Sequence, residues 1–223
     1  MARPRGNYAV TAARRLAILD AGLQVFGRNG YNGSSLKQIA ELVGITEAGI
    51  LHHFKTKSEL LIAVLDHRDE VTQSWFTSQG GDSLNYVVDW LRLLHHNMSN
   101  PGIVELYATL SGEATSPGHP ANDYFRQRYE TVREYNQENF QRLITDGHIT
   151  DGAPGARDLA VWLAALSDGL QIQWMLNREV DLLAETESFF RTILKHESML
   201  QALERYEAIG PFVAVEEAAL SVA

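Results

Sequence analysis

SLKQIAELVGITEAGILHHFKTKSEL, residues 35–60, reads as two short helices and the start of a longer one, joined by tight turns. Ser35 and Gln38 have the S-x-x-Q spacing of a capping box, in which the serine hydroxyl and the glutamine side chain satisfy each other's backbone amides. Ile39, Ala40 and Val43 then mark one inward face, and Gly44 ends the helix. Thr46 caps a second short helix through His53, and Thr56-Lys57-Ser58-Glu59 opens a longer one over 57–75. A helix-turn-helix needs a small residue where its helices cross, a glycine in the turn and an apolar residue where the second helix enters the core. Ala40, Gly44 and Ile50 fill those three places. The recognition helix, 46–53, is about two turns or ~12 Å long, enough to place several side chains in a major groove.

Upstream, a helix is expected over 11–28 with Thr11 as cap. Its inward stripe is Ile18, Ala21, Gly22, Val25 and Phe26. GRNGYNGSS ends it, with Gly27 and Gly30 available for left-handed backbone. Downstream, helical periodicity predicts spans at 82–98, 101–114, 120–146, 156–177 and 182–204, with 211–223 a last short helix or a tail. SPGHP (116–120) and TDGHITDGAPG (145–155) break the pattern. The fold class is therefore all-α. A three-helix helix-turn-helix domain spans 1–56, a connecting helix 57–75, and a larger helical C-terminal domain 76–223.

Bulk properties narrow the function. The 223 residues carry 45% hydrophobic and 21% charged residues, an ordinary globular composition, and no apolar run long enough for a membrane helix. MARPRGNYAV has arginines with no apolar stretch behind them, unlike a secretory signal. Cysteine is absent, which removes disulfides and thiolate metal sites and fits a cytoplasmic location. The formal charge of −9 is uneven: residues 1–67 hold eight Lys/Arg against five Asp/Glu, leaving −12 on the remainder. A basic head on an acidic body suits a local polyanion-binding module.

Residues 11–67 resemble the N-terminal domain of the tetracycline-repressor (TetR) family. The resemblance rests on Phe26-Gly27, on Gly30-Tyr31 before Ser34-Ser35, and on Ile39-Ala40-x-x-x-Gly44-Ile45-Thr46. His53-Phe54-x-Thr56-Lys57-x-x-Leu60 completes it. Two positions depart from it: Leu51 stands where members commonly have a tyrosine that reaches a DNA phosphate, and Ala48 where they have glycine or another small residue. The resemblance implies a ligand-responsive transcriptional regulator, by family tendency a repressor, that binds a palindromic double-stranded operator as a homodimer. It also implies a C-terminal helical domain for ligand binding and dimerisation. No cofactor, metal or enzymatic activity is expected.

The adjacent His52 and His53 point about 100° apart on a helix, so they cannot share a metal as an i, i+4 pair would. The resemblance makes His53 and Lys57 phosphate contacts; His52 is either a further one or a plain surface histidine. Resemblance and helix geometry together point to Thr46, Glu47 and Gly49 for base readout, with Ile50 either a fourth or core. Ser34, Ser35 and Lys37 are expected to meet the DNA backbone, and Arg3 and Arg5 to form an arm ahead of the first helix. The dimer interface is placed on Val161, Ala165, Gly169 and Ile172, with 182–200 as its second helix. A largely apolar effector pocket is sketched from Trp90, Leu94, His96, Tyr107 and Phe125, with Tyr129, Trp162, Gln171 and Trp174; each is equally a core candidate.

Two other readings fit the residues. One is a helical interaction protein with weakened DNA binding, suggested by Leu51 and the acidic bulk. The other is a helical metal-dependent hydrolase using His95, His96, Glu105 and Glu113.

Overall fold

The computed structural model describes residues 5–76 and 81–212, with side chains at 5–9 and 73–76 left aside. Ten helices are seen among the described residues: α1 (Arg5–Asn29), α2 (Leu36–Val43), α3 (Glu47–His53), α4 (Lys57–Phe76), α5 (Asn85–Ser99), α6 (Pro101–Glu113), α7 (Asn122–Thr145), α8 (Ala156–Leu176), α9 (Leu182–Ile193) and α10 (His196–Ile209). The all-α expectation holds. The chain forms two compact units, residues 1–72 with 102–126, and 73–101 with 127–223.

In the first unit, the expected stripe of α1 is buried: Ile18 and Phe26 are wholly inaccessible, and Ala21 and Val25 nearly so. Ile39, Ile50, Phe54, Leu60 and Leu61 are also sealed from solvent. Two glycines set how closely the helices approach. A Cβ on Gly22 would lie 2.8 Å from the Val64 side chain of α4, and one on Gly27 would lie 3.3 Å from the Leu106 backbone of α6. Gly27 is helical and serves this contact; the left-handed stop belongs to Gly30 alone, at φ 67°. α1 also begins earlier than Thr11, so Arg5 starts a helix instead of belonging to an arm, while Arg3 lies outside the described residues.

In the second unit, one core joins α5, α7, α8, α9 and α10 around Val87, Phe140, Leu143, Leu159, Leu163 and Phe190. The helix expected over 182–204 is two helices. The backbone leaves the helical path at Leu194 and Lys195, where Lys195 N–H donates to His148 O (2.8 Å), Thr150 N–H to Ile193 O (2.9 Å), and Ile149 pairs with Leu194 as an isolated bridge. Those partners come from the 145–155 turn, about 45 residues earlier, and no proline or glycine marks the break locally. Of the stretch 211–223, residues 213–223 lie outside the described residues.

Candidate functional site

The helix-turn-helix is built by its caps. Ser35 Oγ accepts the Gln38 amide (3.2 Å) while Gln38 Oε1 accepts the Ser35 amide (2.7 Å), the full reciprocal box. Gly44 closes α2 at φ 69°, ψ 37°, and Ile45 N–H returns to Ala40 O (3.0 Å). A Cβ at Gly44 would meet nothing within 4 Å, so its left-handed backbone is what demands glycine. Thr46 Oγ1 caps α3 by accepting the Gly49 amide (3.1 Å). At the start of α4, Thr56 Oγ1 accepts Glu59 N–H (3.0 Å), and the Glu59 carboxylate reaches back to the Lys55 amide (2.9 Å).

This frame buries Ile50 completely, which makes it core, and turns Thr46, Glu47, Ala48, Leu51 and His52 outward. Gly49 sits among them, and a Cβ there would make only ordinary contacts, 3.5 Å to Thr46 Oγ1 and 3.6 Å to Ile45. Nothing inside the fold calls for a glycine on this helix.

Around this face the structure adds what the local pattern did not reveal. Arg15 of α1 donates to His53 O (3.4 Å) and stacks over the Phe54 ring at 4.2 Å, so α1 brings positive charge beside α3. Partial burial, then His52, Arg15 and Arg14, hold the His53 pKa below its ordinary value. Lys57 Nζ donates to Ser34 O (2.6 Å) and lies 4.3 Å from the Tyr31 ring centre, and burial lowers its pKa against the opposing pull of Glu113. Ser34 is buried, its hydroxyl directed to Val25 O (3.1 Å) and Gly30 O. Ser35 and Lys37 are exposed at the start of α2. Glu113 of α6 accepts the Tyr31 amide (2.7 Å) and lies 3.4 Å from His119 Nε2, anchoring the α1–α2 turn.

The pocket candidates fall in both units. Tyr107 and Phe125, in the first, pack edge to face at 5.7 Å, and Tyr107 OH donates to Asp69 (2.7 Å). In the second, Trp90, Leu94, His96 and Trp174 are buried. Tyr129 OH donates to Asp168 (2.6 Å) and Gln171 Nε2 to Ser167 Oγ (3.0 Å). Trp162 is 52% exposed and faces outward.

Sequence reading named Trp90 as a pocket candidate but missed the other buried polar groups of this unit. Asp89 Oδ1, Trp90 Nε1, Asn97 Oδ1, Asn136 Nδ2 and Thr186 Oγ1 are buried and have no hydrogen-bond partner. Each such group costs about 1–3 kcal/mol of stability. Burial pushes the Asp89 carboxyl up to about 7, against the opposing pull of Arg92, 3.9 Å away. Nothing in the sequence marks these polar residues, which look like any polar residue on a helix.

On α8, Trp162, Ala165, Gly169, Ile172 and Leu176 follow one another at spacings of three and four. Ile172 is 46% and Leu176 84% exposed, and a Cβ on Gly169 would meet nothing within 4 Å. This is an unburied heptad stripe. Among the described residues no three of His, Asp and Glu gather as metal ligands. His95 Nδ1 pairs with Tyr206 OH (3.0 Å), and the His96 ring lies 3.4 Å from the Asn100 amide.

Residues 18–64 match the family described as bacterial regulatory proteins, tetR family. The HTH-type transcriptional regulator RutR of Escherichia coli is 44% identical over 54 residues, which is 24% of this chain and 26% of RutR. ArpR, an HTH-type transcriptional regulator of Pseudomonas putida, is 26% identical over 199 residues, 86% of this chain and 94% of ArpR. A transcriptional regulator from Saccharomonospora viridis, solved in complex with choline, superposes with a TM-score of 0.70 at 21% identity, covering 83% of this chain and all of the other. The N-terminal segment thus matches the tetR family, and the chain has the helical fold of such solved regulators over most of its length. The sequence match itself spans about a quarter of RutR.

Proposed function

We propose that this chain is a ligand-responsive transcriptional repressor that binds a palindromic double-stranded operator as a homodimer. The observation that carries the reading is the outward face of α3, held by the Gly44 turn and the Thr46 cap within a TetR-family domain. Thr46, Glu47 and the side-chain-free backbone of Gly49 read bases. Ser35, Lys37, His52, His53 and Lys57 lie along the phosphates, and Ser34 holds the turn that presents them. Residues 1–56 act as the DNA-binding module, 57–75 as the connecting helix and 76–223 as the effector and dimer domain. Two recognition helices would then sit about 34–36 Å apart, one turn of DNA.

The exposed stripe of α8 supports the dimer, since an apolar face of this length is ordinarily covered. The partner helix is best sought in α10, where Leu200 and Ile209 are also exposed, in place of the unbroken 182–200 helix. A small molecule in the C-terminal domain would favour the arrangement unable to bind DNA, and by reciprocity the operator would weaken its binding by the same factor. The S. viridis relative's choline shows that this fold holds a small molecule in that protein. No helix among the described residues is long and apolar enough to cross a membrane, in keeping with a cytoplasmic regulator. The protein acts without enzymatic chemistry or cofactor.

Selection from a random duplex library at about 150 mM salt tests this directly: an enriched palindrome is expected. Loss of all enrichment in folded protein would favour the second reading, a helical interaction protein, for which Leu51 gives specific grounds. It is 41% exposed on the recognition helix and offers a phosphate no hydrogen bond.

A further inference from the structure

We propose that the face of α5 bearing Tyr86, Trp90 and Asn97, together with Asn136 of α7, is the effector site. It would take an uncharged, elongated molecule with a carbonyl oxygen at one end and a hydroxyl or N–H group about 10 Å away. The inference rests on the effector-responsive reading above and names the chemistry of its ligand.

Residues 86, 90 and 97 lie within about 40° of one another around a helix, so they share one face. All three, and Asn136, are at most 7% exposed. Trp90 Nε1, Asn97 Oδ1 and Asn136 Nδ2 lack partners, whereas buried polar groups are normally paired. Tyr86 OH donates to Asn136 Oδ1 (3.0 Å), and the NH2 of that amide has no partner. The Trp90 indole is close enough to favour the ionised Tyr86 hydroxyl, yet it makes no well-formed hydrogen bond. Two spare donors thus flank Tyr86, and an acceptor without its own hydrogen satisfies them. Position 97 is about 10 Å further along the axis, and its spare oxygen requires a donor. Tyr135 and Phe140 pack against Tyr86 at 6.0 and 5.4 Å, giving that end an aromatic wall.

The site discriminates by charge. Positions 86, 90, 93, 94 and 97 of α5 carry Tyr, Trp, Leu, Leu and Asn. The carboxyl and guanidinium groups of α5, on Asp89 and Arg92, lie 3.9 Å apart and off this face. A charged effector would lose its hydration against a face of α5 that supplies no counter-ion.

Calorimetric titration of the full chain with 8-hydroxyoctanamide, octanamide, 1-octanol and 8-hydroxyoctanoate tests the site. 8-Hydroxyoctanamide is expected to bind best, with loss of either polar end weakening it about tenfold and the carboxylate weaker still. Asn97→Leu should erase the advantage of 8-hydroxyoctanamide over octanamide, leave octanamide binding unchanged, and hold or raise the melting temperature without probe. No heat with any probe, equal affinity for all four, or a lower melting temperature for Asn97→Leu would each overturn the proposal; the last would mean that the amide is already satisfied within the protein. Anisotropy of the selected duplex separates the two claims. A probe that binds without changing duplex affinity leaves the site standing and rejects its effector role, while duplex binding with no probe binding rejects the site alone.

Discussion

Gly49 and His53 show how single residues divide between fold and function. A helical glycine costs roughly 0.5–1 kcal/mol relative to alanine, and the space around Gly49 would accept the methyl. Gly49→Ala should therefore raise the unfolding free energy by about that amount while weakening duplex binding about tenfold; denaturant melts and anisotropy report the two effects separately. If both stability and affinity rise, Gly49 has no role in close approach to the bases. His53 titrates below its usual range because burial, then the neighbouring His52, Arg15 and Arg14, disfavour its charge. Phosphates would raise its pKa in the complex, so affinity should grow as pH falls through the interval between the bound and free values, with the free value below 6.5. His53→Gln should flatten that slope, and a variant keeping the full dependence would remove His53 from the phosphate contacts. At this scale the caps at Ser35, Thr46 and Thr56 were all legible, because a cap is a local pattern of three or four residues. The Arg15–His53 and Lys57–Ser34 contacts join residues 38 and 23 positions apart, and no local pattern encodes them.

Among the elements, α8 makes the clearest commitment. Its inner side supplies Leu159, Leu163 and Leu170 to the core, while Trp162, Ile172 and Leu176 remain uncovered. Ile172→Glu places a charge in the middle of that stripe without touching the core. Light scattering should then report a monomer, and affinity for a two-half-site duplex should fall about a hundredfold through lost avidity. A variant that stayed dimeric would move the interface away from α8. Helical periodicity located this element well, yet it could not divide inward from outward apolar residues, since both α8 faces are apolar. It also could not see the break between α9 and α10, which is made by backbone groups of the 145–155 turn.

For the whole molecule, the second unit contains more unsatisfied polarity than stability alone would select, and Asp89 makes this measurable. Its carboxyl titrates near 7 in the folded chain against 3.8 when unfolded, so the native state holds the extra proton between those values. Stability from this group is therefore greatest below about pH 4, declines as pH rises toward 7, and stays at its lowest above that. Asp89→Asn should melt higher than the parent at pH 8, by up to about 4 kcal/mol in unfolding free energy, with the gap closing toward pH 4. A gap independent of pH would mean that Asp89 is already ionised in the native chain, well stabilised by Arg92.

The sequence by itself determined the helical class, the helix-turn-helix and its caps, the charge division between head and body, and the family resemblance of the N-terminal segment. All of these are written in local spacing, composition or a contiguous motif, where each residue's role depends on neighbours within a turn or two. The tertiary structure decided which apolar face of α8 stays uncovered, where the 182–204 helix breaks, and which amides of α5 and α7 lie buried without partners. Those outcomes depend on which distant segment comes to rest against each face, and burial is a property of that packing and not of the residue.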